Sequence, residues 1–244
     1  MAKAYYDVSY KTYYNDRLKP VLFRGKESHP LYLRVTYDRE TTSFRSYYFD
    51  LFRQKKYDLQ GPTLAQIDEL EGRVIDYIIA RNTNRFNLDL VLYEYRLYGA
   101  DILNKFERPF LLWLAECLRT ELLPELATVI EQGTEEVLAI QLWDDLKGSL
   151  RPDLVSRIEE KAVREVQLYY LLAAYVREKH PKGPFYLPYH EWDLEEDHIT
   201  TYQIALEEFL NRTFGRADII VYLRRVVHSI MSRDTWRGIK SQVI

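Results

Sequence analysis

The sequence has little cysteine and glycine, and it has no long apolar run. Its one cysteine, Cys117, excludes an internal disulfide and a cysteine-rich zinc module, and its apolar neighbours predict a buried thiol. Nine glycines in 244 residues favour long helices over tight turns. No apolar segment reaches the ~20 residues of a transmembrane helix, and the N-terminus lacks the apolar stretch of a secretory signal. We therefore expect a soluble, cytoplasmic protein without membrane contact.

Motifs of the common catalytic sites are also missing. The chain has no phosphate-binding glycine loop and no Gly-x-Ser-x-Gly nucleophile turn. Its densest group of potential metal ligands is the segment from His190 to His198, with two histidines and five carboxylates. The spacing of a helical zinc pair or a calcium loop is absent there. We interpret the segment as an acidic loop that leads into a helix, with metal binding as the alternative. The sequence thus predicts no enzyme activity, no metal and no cofactor.

Charge is distributed unevenly along the chain. Residues 1–60 hold twelve Lys and Arg against seven Asp and Glu, an excess of five positive charges. Because the whole chain has a formal charge of −3, the other 184 residues carry −8. A basic end on an acidic body is typical of proteins that bind a polyanion. The same sixty residues contain ten of the 21 tyrosines, which suits base stacking, a protein interface or a small β-sheet.

Hydrophobic patterning predicts an α+β fold, with a small N-terminal antiparallel sheet followed by a larger helical body. The clearest strand signal is Leu31 to Phe44, which alternates apolar and polar residues around a turn at Asp38-Arg39-Glu40. We expect residues 44–51 to return as the partner strand and residues 5–14 to supply a third strand. The predicted organisation is a β-rich basic domain at 1–60, a helical linker pair at 61–100 and an acidic helical domain at 101–244.

Helices are predicted from apolar spacing and from capping residues. Thr63, with Gln66 three residues later, has the pattern of a capping box at a helix start. The predicted helices after residue 62 are 63–81, 87–98, 106–123, 124–132, 134–146, 151–179, 200–214 and 217–233.

The segment from Arg24 to Phe44 resembles the N-terminal arm-DNA-binding domain of phage-type tyrosine recombinases from Bacteroidetes. The matching motif is Pro30-Leu-Tyr-Leu-Arg-Val-Thr36, followed by a tight turn and a strand that holds Phe44. The resemblance covers roughly residues 22–118 and extends to the start of the core-binding region. It implies a three-stranded sheet that contacts DNA. The chain departs from the family at Ser46-Tyr-Tyr-Phe-Asp50, where the family usually has a Ser/Thr-Gly turn.

The catalytic domain of such recombinases is missing. Their chemistry needs arginines and a histidine around the scissile phosphate and a tyrosine nucleophile near the C-terminus. The nearest candidates are His228 with Arg224, Arg225 and Arg233, but no His-x-x-Arg occurs and the last tyrosine is Tyr222, within a helical pattern. We therefore expect no recombinase activity.

Two functions remain as hypotheses. The first is a non-catalytic DNA-binding protein of a mobile element or phage, whose basic hairpin contacts double-stranded DNA. Its candidate binding residues are Arg24, Lys26, Arg34, Arg39, Arg45, Arg53, Lys55 and Lys56. The second is a structural or assembly protein of a phage or mobile element, found in the virion, which binds a protein partner or itself. Its candidate interface residues are Tyr5, Tyr6, Tyr10, Tyr13 and Tyr14.

Overall fold

The predicted α+β class is confirmed by a computed structural model, which describes residues 7–58, 61–83, 85–132, 136–181 and 185–192. The chain forms two compact units. The sheet unit comprises the described residues within Met1–Arg53, Pro62–Ala100 and Pro188–Ile204. The helical unit comprises those within Gln54–Gly61 and Asp101–Leu187. The helices of residues 64–98 therefore belong with the sheet and are not a separate linker.

Three strands form the main sheet of the sheet unit. They are β1 (Ser9–Tyr14), β4 (Leu31–Tyr37) and β5 (Glu40–Arg45), all antiparallel, with β4 in the centre. A separate two-stranded hairpin consists of β2 (Val21–Phe23) and β3 (Lys26–Ser28). Strand β1 is the third strand expected from residues 5–14.

Both hairpin turns have two central residues with positive φ. These are Asp38 at 48° and Arg39 at 67° between β4 and β5, and Arg24 at 49° and Gly25 at 73° between β2 and β3. Positive φ at both positions is the signature of a type I′ turn, whose twist matches that of the flanking strands. The β4–β5 turn fixes the register so that Leu33 lies opposite Phe44, and both side chains are buried.

The prediction that residues 44–51 form the partner strand is wrong. Strand β5 starts at Glu40, directly after the turn, and the chain enters helix α1 (Tyr47–Phe52). Ser46 caps this helix, because its hydroxyl accepts a hydrogen bond from the backbone N–H of Phe49 at 2.9 Å. The four buried side chains of α1 have helical spacing: Tyr48, Phe49, Leu51 and Phe52.

Two longer helices complete most of the sheet unit. Helix α2 (Leu64–Arg81) contacts β1 and α1, and helix α3 (Leu88–Tyr98) contacts β4, β5 and α2. The predicted capping box is present: the Thr63 hydroxyl accepts from the backbone of Gln66, and the Gln66 side chain accepts from the backbone of Thr63. The short helix α9 (Tyr189–Trp192) contacts α3.

The helical unit contains five α-helices among its described residues. They are α4 (Ile102–Thr120), α5 (Pro124–Gln132), α6 (Ala139–Ser149), α7 (Pro152–Glu160) and α8 (Arg164–Lys179). Helix α4 contacts each of the other four, so it forms the centre of the unit. It carries Cys117, which is buried as predicted.

Three predicted helices of this unit differ from those observed. Helix α4 spans Ile102–Thr120, where residues 106–123 were predicted. Helix α6 begins at Ala139, five residues after the predicted start at Thr134, and Thr134 lies outside the described residues. The single helix predicted for residues 151–179 is two helices, α7 and α8, with a break after Glu160. At the break, the carbonyl of Lys161 accepts from the indole of Trp113 at 3.2 Å, and that of Ala162 accepts from the Gln167 side chain at 3.0 Å. These bonds satisfy carbonyls that would accept backbone hydrogen bonds if the helix were continuous.

Some predictions lie outside the described residues. These are the final helical pair, the recombinase-like residues around His228, and the acidic segment from residue 193 onward. Among the helices that the structure describes, none is both long and apolar enough to cross a membrane.

Candidate nucleic-acid interface

The main sheet presents one face to its helices and a second face to solvent. Strand pairing sets Val35, Leu33 and Leu31 of β4 on the helix-facing side, where all three are buried. On the same side Tyr10 donates to Asp76 of α2 at 2.8 Å, and Thr12 donates to Asp68. The opposite side, here called the open face, carries exposed or half-buried side chains from three rows: Ser9, Thr36 and Thr41; Lys11, Arg34 and Ser43; Tyr13, Tyr32 and Arg45.

The open face is basic. Lys11, Arg34 and Arg45 contribute three positive charges, and the only acidic residue within the three strands, Glu40, belongs to the other face. Strands lie about 4.8 Å apart, so these cations share a surface about 10 Å wide. Such an arrangement can hold several phosphates of one polyanion.

Lys11 and Arg34 lie directly opposite each other in the β1–β4 pair. Like charges at opposite positions of an antiparallel pair repel, which costs roughly 0.2–1 kcal/mol. No carboxylate in the described parts of the chain pairs with either side chain. The guanidinium of Arg34 instead lies over the ring of Tyr13, 4.9 Å from its centroid. Two like charges therefore face each other at the centre of the open face and slightly destabilise the sheet.

Arg45 differs from these two cations, because it has an acidic neighbour. Its Nη2 lies 2.6 Å from Oδ1 of Asp50, and Nη1 of Arg53 lies 3.9 Å from the same oxygen. Asp50 and Arg53 lie in and just after helix α1, which follows β5. The two predicted arginines therefore flank one carboxylate beside the open face.

The other predicted cations of the sheet unit lie in its hairpin turns or directly after one. Arg39 occupies the exposed type I′ turn between β4 and β5. Arg24 and Lys26 belong to the separate β2–β3 hairpin, where the Arg24 guanidinium lies 5.4 Å from the centroid of the Phe23 ring. The structure thus gathers Arg34 and Arg45 on one face with Arg39 at its turn, while Arg24 and Lys26 belong to the smaller sheet.

Lys55 and Lys56 belong to the helical unit, and the prediction needs correction at Lys56, which is buried. Lys56 has only 7% of its side chain exposed, forms an ion pair with Glu107, and donates to Asn104 at 2.7 Å. Lys55 is exposed but pairs with Glu136 at 2.5 Å. We exclude Lys56 from the binding surface because a buried, paired ammonium cannot reach a phosphate. The sequence places these lysines beside the basic sheet, but their contacts come from residues 48 to 81 positions further along the chain.

Lys11 and Tyr32 were not among the predicted site residues. The sequence of strand Ser9–Tyr14 does indicate that Lys11 shares a face with Ser9 and Tyr13, while Tyr10, Thr12 and Tyr14 lie on the other face. Alternation alone does not say which face is covered by helices. That assignment needed the register with β4, which pairs Lys11 with Arg34.

The predicted tyrosine interface is divided between the two faces. Tyr10 faces α2, and burial together with Asp76 raises its pKa to about 12. Tyr13 lies on the open face, 6.0 Å between ring centroids from Tyr32. Tyr14 is 44% exposed. Tyr5 and Tyr6 lie outside the described residues.

A buried carboxyl supports the junction between β5 and α1. Glu71 of α2 is fully buried and accepts hydrogen bonds from the hydroxyls of Ser46 and Tyr95, the second at 2.9 Å. The Tyr95 oxygen in turn accepts from the backbone N–H of Tyr47 at 2.7 Å. Burial raises the pKa of Glu71 to about 7, against the hydrogen bonds that lower it. This network fixes the start of α1 next to Arg45.

The helical unit has its own buried polar group. Asp101 accepts from the backbone N–H groups of Leu103 at 3.2 Å and Leu187 at 2.9 Å, and burial raises its pKa to about 7. Glu107 accepts from the backbone of Ala139 as well as from Lys56. Each of these carboxylates therefore joins backbone segments, which is a structural role.

Other candidate sites in the described residues are weaker. An apolar recess of about 210 Å³ in the helical unit is lined by Phe106, Pro109, Phe110, Trp113, Val163 and Val166. No group of three or more His, Cys, Asp or Glu side chains with metal-binding geometry occurs in the described part of the chain. His190, from the acidic segment, is buried, with Nδ1 3.3 Å from the Tyr98 carbonyl oxygen.

Comparison of the chain with protein-family models, with curated proteins and with solved structures finds no significant match. The resemblance to the recombinase arm-binding domain therefore stays a prediction from residues 22–118.

Proposed function

We propose that this protein is a non-catalytic DNA-binding protein of a mobile element or phage, and that the open face of its main sheet contacts the phosphates of double-stranded DNA. Lys11, Arg34, Arg39 and Arg45 are the proposed contacts. Arg53, beside the face, is a further one. The resemblance of residues 22–118 to a DNA-binding domain supports the choice of DNA over other polyanions.

The observation that carries the proposal is the unneutralised pair of Lys11 and Arg34. A sheet selected for stability alone would place opposite charges or hydroxyls at these facing positions. Departures from the locally favourable choice concentrate at functional sites. A phosphate between the two side chains would replace their repulsion by two favourable contacts.

Tyr13 and Tyr32 add a second element to the same face. Their rings flank the cations on neighbouring strands, and one of them lies under the Arg34 guanidinium. Contact between an arginine and an aromatic ring orders the long side chain before binding, which lowers the entropy lost on association. The arginine of the central strand is thus held over the face.

Fluorescence anisotropy with a short labelled DNA duplex at low salt tests the proposal. The triple variant Arg34→Gln, Arg39→Gln, Arg45→Gln should bind at least tenfold more weakly than the unmodified chain, since each lost phosphate contact costs affinity. The matched control is Arg151→Gln, Arg157→Gln, Arg177→Gln, which removes three exposed arginines of the helical unit that already pair with carboxylates. Equal binding by the triple variant and its control would refute the proposal, as would the absence of any binding by the unmodified chain.

An assembly function is the second candidate, and exposed apolar residues between the end of β1 and strand β2 favour it. Tyr14, Leu18 and Leu22 are 44%, 39% and 63% exposed. Light scattering after size-exclusion chromatography tests this candidate. A stable oligomer that dissociates on substitution of Leu22 by Ser, together with no DNA binding, would establish assembly in place of DNA binding.

A further inference from the structure

The carboxylate of Asp50 is held between two guanidiniums at the edge of the open face. Its Oδ1 atom lies 2.6 Å from Arg45 and 3.9 Å from Arg53. All three side chains are about 40% exposed, at 39%, 42% and 38% for Arg45, Asp50 and Arg53. A polyanion on the open face can therefore reach both arginines from solvent.

Two arginines that converge on one oxygen form a site suited to an oxyanion. Guanidinium groups bind carboxylate and phosphate oxygens with the same donor geometry. Asp50 occupies this position from within the chain, since it lies on α1, only five residues after Arg45. It is also the only carboxylate paired with either arginine among the described residues. The site is thus filled by the protein's own anion.

The internal ion pair is weak enough for a ligand to displace. Exposed pairs of this kind change an equilibrium by no more than about fivefold. A DNA phosphate arrives together with contacts to Lys11 and Arg34, so its effective concentration at Arg45 is high once the duplex is bound. The balance between the two anions therefore favours the phosphate at low salt.

We propose that Arg45 and Arg53 form a phosphate-binding site that Asp50 fills in the free protein, and that Asp50 lowers DNA affinity by competing for it. This inference rests on the proposed DNA-binding function. Asp50 is in this view an inhibitory residue within the binding surface.

The direct test is Asp50→Asn, which keeps the shape of the side chain and removes its charge. Binding of the short labelled DNA duplex at low salt should become about two- to fivefold tighter. The matched control is Glu69→Gln. It makes the same change of charge on an exposed position of α2, the helix that covers the opposite side of the sheet. The control should leave the affinity within about twofold.

A double-mutant cycle separates competition from a general charge effect. In the background Arg45→Gln, Arg53→Gln, the substitution Asp50→Asn should bring no gain, because the site for which it competes is gone. A gain that persists in that background, or a gain equal to that of Glu69→Gln, would overturn the inference. Thermal unfolding followed by circular dichroism checks that each variant is folded.

These outcomes can be told apart from failure of the proposed function. If the unmodified chain binds DNA and Asp50→Asn does not bind more tightly, the competition is refuted and DNA binding stands. If neither the unmodified chain nor any variant binds the duplex at low salt, both the proposed function and this inference are refuted.

Discussion

Substitution of Lys11 by Glu should stabilise the protein while it weakens DNA binding. Lys11 faces Arg34 across the β1–β4 pair without a carboxylate partner in the described parts of the chain. Charge reversal replaces a repulsion of roughly 0.2–1 kcal/mol by an attraction of similar size, so the free energy of unfolding should rise by about 0.5–2 kcal/mol. Lys11→Gln removes only the repulsion and should give about half of this gain.

Urea unfolding followed by circular dichroism measures the stability change. Lys19→Glu is the control, because it makes the same change of charge at a residue that lies exposed in the loop after β1. It should alter the free energy of unfolding by no more than about 0.5 kcal/mol. DNA affinity should fall for Lys11→Glu, and the slope of log K against log salt should become shallower by about 1 for the lost contact.

The opposite pattern would refute the reasoning. If Lys11→Glu is less stable than the unmodified chain and binds DNA with unchanged affinity, Lys11 neither repels Arg34 nor contacts phosphate. A gain in stability without loss of binding would keep the electrostatic account of the sheet and remove Lys11 from the binding surface.

Two further predictions concern stability alone. Leu122 has a φ of 63° and occupies the glycine position of a Schellman motif, in which Leu123 donates to the carbonyl of Leu118. Leu122→Gly should therefore raise the free energy of unfolding by roughly 0.5–1 kcal/mol in urea unfolding, and a loss of stability would contradict this. Glu71 has its pKa raised to about 7 by burial, so the folded state holds its proton where the unfolded state has lost it. The stability that protonated Glu71 contributes is complete at about pH 4 and is lost as the pH rises to about 7. Glu71→Gln should accordingly be more stable than the unmodified chain at pH 8 and not at pH 4. If the difference in free energy of unfolding between the two proteins is the same at both pH values, the raised pKa of Glu71 is contradicted.

Local signals in the sequence were sufficient for the parts of the fold that depend on neighbouring residues. The capping box at Thr63 and Gln66 needs only four residues, and it was predicted correctly. The alternation over Leu31 to Phe44 likewise indicated strand β4, in which Leu31, Leu33 and Val35 are buried. In both cases the deciding contacts lie within one element or its immediate partner.

The errors arose where distant residues decide the outcome. Residues 47–52 are rich in aromatic side chains that suit a strand, but they form α1. The Ser46 cap and the buried Glu71 and Tyr95, from other helices, hold its start. The break between α7 and α8 depends on Trp113, which lies 48 residues before the carbonyl it contacts.

The candidate site could be predicted only in part for the same reason. Arg34, Arg39 and Arg45 are recognisable from the hairpin pattern, because residues of one hairpin share a face at fixed spacing. Lys11 lies on the same face only because β1 pairs with β4, and the paired residues of these two strands are seventeen or more positions apart in the sequence. Lys56 looks equivalent in the sequence, but it is buried against Glu107.

The salt dependence of DNA binding tests the role of the open face most directly. With five cations in contact with phosphates (Lys11, Arg34, Arg39, Arg45 and Arg53), the slope of log K against log salt should be about −4.5 from about 50 to 200 mM salt. The variant Arg34→Gln, Arg39→Gln, Arg45→Gln keeps Lys11 and Arg53 and should reduce this slope to about −2. A slope that is the same in both proteins would contradict the account, because the polyanion would then contact some other surface.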